Sequence, residues 1–406
     1  MSELITQTKD AEEWNIKNYP VAEYWQSRRL RDERLSKLSD TPNPACGVCQ
    51  HQDSIGNHSK RIKENLKSVI FYDHNFYKSF EQSPHKQAFD HSLDNDGATV
   101  TQPLSYHLSL GNECDLACVM CSPNSSFKLA NDYEALGWIK DARRLNWTDD
   151  QQVWEDFCQT LLTTPLVSLH IIGGEPTINK RFVQLIDLFV DNNHTDFSFS
   201  FTTNCMHKLD HLWDRLANFK RVEVGMSVET VNFTNNYVRY GSDINVILEN
   251  IAEFKATAPE NVAFVIRTVP TLLTVNYYSQ LIDWCLDNDF LLNSYFATDP
   301  AWQQIRLLPD YVKIHLQAEF QHQLENYMML AEFRIKGLTN FRNQTYVLEN
   351  LISELRAVLA SLTLGNSDVD LVNESVLKFK QLDTLRNTNV INNFPMLKEY
   401  FKSNGY

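Results

Sequence analysis

Leu110-Gly-Asn-Glu-Cys114-Asp-Leu-Ala-Cys118-Val-Met-Cys121 leaves a predicted strand, Ser105–Asn112, and sets three cysteines at spacings of four and three residues. One short loop with these spacings wraps three thiolates around a single compact metal centre. Three thiolates are one too few to close a tetrahedral zinc site or a fully ligated iron–sulfur cubane. A centre held this way keeps an open coordination position, where a substrate or cofactor binds. The alternatives are a set of small buried core cysteines, or a structural zinc site whose fourth ligand lies elsewhere.

Around this loop, residues from about 105 to 298 alternate strands with amphipathic helical stretches. Predicted strands are Ser105–Asn112, Val167–Gly174, Asp196–Asn204, Arg221–Glu229, Asn261–Pro270 and Leu291–Thr298. Between them, Phe182, Leu185, Ile186 and Phe189 fall at helical spacing in Arg181–Asp191, and Leu209–Phe219, Ile244–Ala256 and Tyr277–Asp289 read likewise. Such repetition predicts an α/β fold with a parallel sheet and right-handed crossovers. In the fourth strand Val222, Val224, Met226 and Val228 alternate with Glu223, Gly225, Ser227 and Glu229. Phenylalanines alternate with Ser198, Ser200, Thr202 and Asn204 in the third. Side chains alternate across a strand, so each strand has one apolar face and one small, polar face. A closed eight-stranded barrel fills its interior with branched aliphatic residues. The polar inner face predicts a hydrated cavity instead.

The composition narrows the function. The chain has 406 residues, 43% hydrophobic, with a formal net charge of −14. That charge argues against nucleic acid as a partner, because phosphate contact needs clustered Lys and Arg. No apolar run approaches the roughly 20 residues that span a bilayer, and the first ten residues lack the pattern of a signal peptide. Eight cysteines without an export signal predict reduced thiols in a cytoplasm.

Ile171-Ile-Gly-Gly-Glu-Pro176 ends the second strand. Paired glycines there let the backbone come close to a ligand, and the segment matches neither common phosphate-binding glycine pattern. Thr202-Thr-Asn204 ends the third strand and Ser227-Val-Glu229 the fourth, followed by Arg239 in Tyr237-Val-Arg-Tyr-Gly241.

The C-x3-C-x2-C spacing resembles the signature of the radical S-adenosylmethionine (SAM) enzymes, and Gly173-Gly-Glu-Pro176 looks like their Gly-Gly-Glu-Pro motif. The resemblance implies a partial (β/α)6 TIM-like barrel in which Cys114, Cys118 and Cys121 hold a [4Fe–4S] cluster. SAM chelates the open iron and is cleaved reductively to a 5′-deoxyadenosyl radical. It further implies that Gly173, Gly174 and Glu175 bind the SAM amine, with Pro176 rigidifying the turn. Asn204, Ser227 and Glu229 line the SAM site, with Ser227 and Glu229 near the ribose. Arg239 pairs with the SAM carboxylate, and Met120 covers the adenine. An external electron donor such as flavodoxin or ferredoxin and a peptide or protein substrate are implied partners. Which residue reacts with the substrate is not implied. The reading from another class is a non-catalytic iron–sulfur or zinc protein acting in binding or electron transfer. An intact Gly173–Glu175 motif favours the enzyme.

The resemblance extends outward. Arg34-Leu-x-x-Leu38, Cys46-x-x-Cys49, Gly56-x-x-Ser-Lys-Arg61 and Asn65 look like the twitch segment of twitch-domain radical SAM proteins, many of them encoded by bacteriophages, which implies a host cytoplasm. Phe379-x-x-Leu-Asp-x-x-Arg386 with Phe394-Pro-x-Leu397 continues the likeness. The expected organisation is a twitch-like segment over 1–100, a core over 101–300 and a helical extension over 301–406. Cys46 and Cys49 are candidates for a second metal site with His51 and His58, or remnants of an auxiliary cluster. The family's preceding cysteine hairpin has no counterpart here, so the pair is expected not to carry a complete auxiliary cluster alone. Cys158, Cys205 and Cys285 read as buried, inert thiols, and His107 and His170 as core histidines.

Overall fold

The computed structural model describes residues 16, 19–38, 46, 47, 49, 50, 84–335, 342–365 and 368–406. Within them the chain divides into two compact units. The first comprises Met1–His107, Trp147–Leu169 and Leu188–Phe197, the second Leu108–Asn146, His170–Asp187 and Ser198–Tyr406.

In the first unit, helices α1 (Val21–Trp25), α2 (Arg28–Leu38) and α3 (Pro84–Asp94) precede β1 (Ser105–Ser109). Arg34 stacks 4.2 Å above the Trp25 ring and donates to the Gly97 carbonyl at 2.7 Å. Trp25 Nε1 donates to the Thr101 carbonyl at 3.0 Å. Further along, Asp150 caps α5 (Gln151–Thr163) by accepting from the Val153 amide, and Trp154, Phe157, Cys158 and Leu161 form its buried stripe.

The sheet has six strands side by side in chain order: β1, β2 (Ser168–Ile172), β3 (Ser198–Thr203), β4 (Arg221–Ser227), β5 (Val262–Thr268) and β6 (Leu291–Ser294). β3 to β6 pair in parallel, with Thr202 opposite Gly225, Gly225 opposite Val265 and Ser227 opposite Arg267. All six predicted strands form, and each ends short of its predicted C-terminus. Gly111 and Asn112 after β1, Gly173 and Gly174 after β2, Asn204 after β3 and Glu229 after β4 lie outside the ladder.

Helix α4 (Phe127–Ala135) follows the cysteine loop, and α6 (Lys180–Asp191) follows β2. Phe182, Leu185, Ile186 and Phe189 of α6 are fully buried, and the Phe182 ring packs on Phe199 and Phe201. After β3 the expected helix Leu209–Phe219 is reduced to a 3₁₀ turn, Asp210–Leu212, and one helical turn, α7 (Trp213–Leu216). No side chain caps either piece. Helices α8 (Thr234–Val238), α9 (Ile244–Thr257) and α10 (Tyr278–Asp287) complete the crossovers. Beyond β6 come α11 (Asp310–Ile335), α12 (Arg342–Ser361), α13 (Val369–Arg386), α14 (Val390–Asn393) and α15 (Lys398–Ser403). The Asn350 side chain of α12 donates to the Leu292 carbonyl at 3.0 Å and accepts from its amide at 2.8 Å, closing the outer edge of β6. Among the described residues no helix is long and apolar enough to cross a membrane.

Candidate functional site

The cysteine loop begins where β1 ends. Asn112 is fully buried at its base. Its side chain donates to the Pro123 and Arg143 carbonyls at 3.1 and 2.9 Å and accepts from the Leu145 amide at 2.9 Å. Below lies the turn after β2. Gly173 and Gly174 have φ of +98° and +59°, a region that glycine enters without cost. A Cβ on Gly173 would lie 2.1 Å from Ser109 Oγ, and one on Gly174 only 1.8 Å from the Glu113 carbonyl oxygen. The Glu175 amide donates to that same carbonyl at 2.8 Å. The close approach that the glycine pair permits is therefore to the cysteine loop itself.

Glu175 is buried and ties this turn to the end of β3. Oε2 accepts from the Asn204 amide at 2.6 Å, and Oε1 accepts from the Thr177 amide and hydroxyl at 3.2 and 2.7 Å. Burial pushes its carboxyl above the usual range, against the pull of those donors. Pro176 is buried and opens a 3₁₀ turn over Pro176–Ile178. Asn204 is buried too, and its Nδ2 donates to Asp115 Oδ1 at 2.7 Å, reaching back to the residue after Cys114. The other Asp115 oxygen meets His207 Nε2 at 3.0 Å.

Glu229 lies beyond the end of β4, and its amide donates to Asn235 Oδ1 at 3.1 Å. Its buried carboxylate accepts from Arg239 at 3.0 Å, from Thr268 Oγ1 at 2.8 Å and from the Val269 amide at 2.7 Å. Burial raises its pKa in spite of Arg239. Arg239 is 7% exposed, and its Nε–H is buried without a partner. Burial opposes its charge, but negative charge at Cys118 and Glu229, and then at Cys121 and Cys114, outweighs that and raises its pKa. Ser227 sits half-buried at the last position of β4, and Met120 is buried beside Cys121.

Cys118 is buried; Cys114 and Cys121 are half-buried. Interaction between the Cys118 and Cys121 side chains, together with Arg239, lowers the Cys118 pKa against the cost of burial and raises that of Cys121. Burial, then the neighbouring Cys118, pushes Cys114 up to about 12. As placed, no group of three or more His, Cys, Asp or Glu among the described residues could hold a metal ion. The donor set itself, three thiols beside a buried guanidinium with an unpartnered N–H, fits an anionic thiolate-ligated cluster.

The inner face of the sheet is polar, as its alternation predicts, but it holds a network with no counterpart in the sequence reading. From β5, Arg267 crosses Gly225 of β4, where a Cβ would lie 2.4 Å from its Nε. It donates to Glu223 at 2.9 Å, to Thr202 Oγ1 at 2.5 Å and to His170 Nε2 at 2.8 Å. His170 Nδ1 meets Ser200 Oγ at 2.7 Å. His170 is thus a half-buried member of this network, and His107 is exposed on β1 instead of lying in the core. The available signal was a long cation on the inward face of β5, two residues beyond Val265, the partner of Gly225, so that its side chain reaches back over a β4 residue with no side chain of its own.

Residues 108–276 match the model of the Radical SAM superfamily. These residues form a radical SAM domain. No curated protein matches the chain. Among solved structures, Streptococcus suis SuiB bound to its precursor peptide SuiA is similar at 16% identity and a TM-score of 0.42, over 70% of this chain and 60% of that one. Histidine-tagged anSMEcpe with bound AdoMet is similar at 19% identity and a TM-score of 0.42, over 58% and 60%. The chain thus spans less than two thirds of each. The radical SAM domain is that of an enzyme, and the cofactors of its superfamily are a [4Fe–4S] cluster and SAM.

Cys158, Cys205 and Cys285 are buried, as expected of inert thiols, and burial raises Cys205 and Cys285 above the usual thiol range. Cys46 and Cys49 are both half-buried, while His51, His58, Gly56, Arg61 and Asn65 lie outside the described residues.

Proposed function

We propose that this chain is a radical SAM enzyme in which Cys114, Cys118 and Cys121 ligate the cluster and the turn Gly173–Glu175 takes the SAM amine. The core of this reading is residues 101–300, flanked by a twitch-like segment over 1–100 and a helical extension over 301–406. The observation that carries it is the seating of the cysteine loop directly on the Gly-Gly-Glu turn, with Arg239 buried beside the thiols. When bound, the cluster and SAM would supply reductive cleavage to a 5′-deoxyadenosyl radical, which removes a hydrogen atom from substrate. The chain's own part is to hold the thiols together, to place cationic Arg239 beside them, and to join the SAM turn to β3 through Glu175. Ser227, Glu229 and Asn204 would complete the SAM site, and Met120 would cover the adenine. Glu229 already accepts three hydrogen bonds, so its role would be to hold Arg239. A peptide or protein substrate, a flavodoxin or ferredoxin as electron donor and a cytoplasmic setting follow from the sequence resemblance.

Anaerobic reconstitution with iron and sulfide, followed by paramagnetic resonance with and without SAM, tests the reading. Close to four irons per chain, a signal altered by SAM, and 5′-deoxyadenosine formed under reductant are expected. The Cys114→Ala, Cys118→Ala, Cys121→Ala triple variant should lose the iron, and Cys46→Ala with Cys49→Ala should keep it. Iron retained by the triple variant, or a cluster indifferent to SAM, rejects the assignment in favour of a non-catalytic metal protein.

A further inference from the structure

Five consecutive carbonyls of the cysteine loop each have a hydrogen-bond donor. Lys128 Nζ reaches Asp115 O at 2.8 Å, and Ser126 Oγ reaches Leu116 O at 2.6 Å. Arg386 reaches Ala117 O at 2.8 Å, the Cys121 amide reaches Cys118 O at 3.2 Å, and Gln303 Nε2 reaches Val119 O at 2.5 Å. Lys128 and Ser126 are local. Gln303 and Arg386 lie 184 and 269 residues from their acceptors and outside the matched residues 108–276.

Arg386, the last residue of α13, is buried and held from three sides. It pairs with Asp132 of α4 at 2.7 Å, stacks 4.5 Å above the Tyr240 ring, and donates to the loop. The loop's amides are held on the same stretch, Ala117 to Tyr240 O at 2.9 Å and Val119 to Val238 O at 2.7 Å. A charged donor makes the stronger kind of hydrogen bond, and a buried carbonyl left without one keeps its full desolvation cost.

We propose that Arg386 and Gln303 are positioning residues for the cluster loop, so that the C-terminal helical region is a working part of the cluster site. They hold the backbone between Cys114 and Cys121 before metal arrives, so the loop is ordered on folding and not at the expense of cluster binding. The inference rests on the proposed cluster ligation, and its test separates the two.

Full-length Arg386→Gln, Gln303→Ala and a control, Trp138→Phe, would be compared with the parent protein. Trp138 Nε1 donates to Gln381 on α13 at 2.9 Å, and its ring packs on Tyr133 and Trp302 and lies under Lys378; Trp138→Phe keeps an aromatic ring for those contacts and removes only the hydrogen bond to α13. Hydrogen exchange of a peptide spanning residues 114–121 in the metal-free protein should quicken about tenfold in Arg386→Gln and Gln303→Ala. Reconstituted cluster should be lost to an iron chelator about tenfold faster, with a broadened resonance signal from what remains. Trp138→Phe should leave all three readouts at parental values. Parental exchange and cluster loss in Arg386→Gln would overturn the proposal, as would equal acceleration in the control. Should Arg386→Gln fail to fold, Gln303→Ala, which leaves no charge buried, decides the matter at Val119. If the parent chain takes up no iron, the cluster assignment fails, and the exchange comparison still judges the positioning claim.

Discussion

Gly174 and Gly137 have nearly the same backbone, φ +59° and +71°, in different surroundings. A Cβ at Gly137 meets nothing within 4 Å, whereas at Gly174 it meets the Glu113 backbone. Alanine at 137 therefore costs only the left-handed conformation, about 1 kcal/mol. At 174 it must also push the cysteine loop off the turn, and the loss should exceed about 3 kcal/mol. Urea unfolding of the two variants checks this; equal losses would show that the loop yields freely. The glycine pair was readable from sequence as a close-approach signal. What approaches was not, because Glu113 and Gly174 are brought together only by the pairing of their strands.

At the level of elements, β6 is the end strand of the parallel sheet, and a free edge invites pairing with another chain. Asn350 answers both backbone groups of Leu292 with one amide side chain. Asn350→Ala should cost about 1–3 kcal/mol, since it leaves a donor and an acceptor of a buried residue without partners. It should also quicken exchange of the Leu292 amide. A stability unchanged within error would mean that water or a shift of α12 replaces the amide. In α12, Leu348, Leu351 and Leu355 recur at helical spacing and are fully buried. Asn350 belongs to that helix but contributes no periodic signal, so its partner was invisible. Likewise, the alternation of β3 and β4 foretold a polar inner face, whereas Arg267 bridging strands as far as His170 depends on how the sheet brings them within reach.

For the molecule as a whole, Glu175 and Glu229 are two buried carboxylates whose pKa values are raised by burial. A carboxyl with a raised folded pKa binds its proton more tightly in the folded state, so stability falls as pH climbs from the ordinary value, about 4.3, through the raised one. Urea midpoints of the metal-free protein across that interval should decline. Glu175→Gln should flatten the decline while lowering the overall midpoint, because an amide lacks the second accepting oxygen. An unchanged slope would assign the pH dependence to other groups. By itself the sequence determined the strand and helix periods, the polar inner face and the three-cysteine loop, because these depend on the identity and spacing of near neighbours. The tertiary structure decided that the glycine turn bears on the cysteine loop, that Glu229 binds Arg239, and that Gln303 and Arg386 grip loop carbonyls. Those contacts join residues tens to hundreds of positions apart, and burial gives them their strength only after the chain has closed around them.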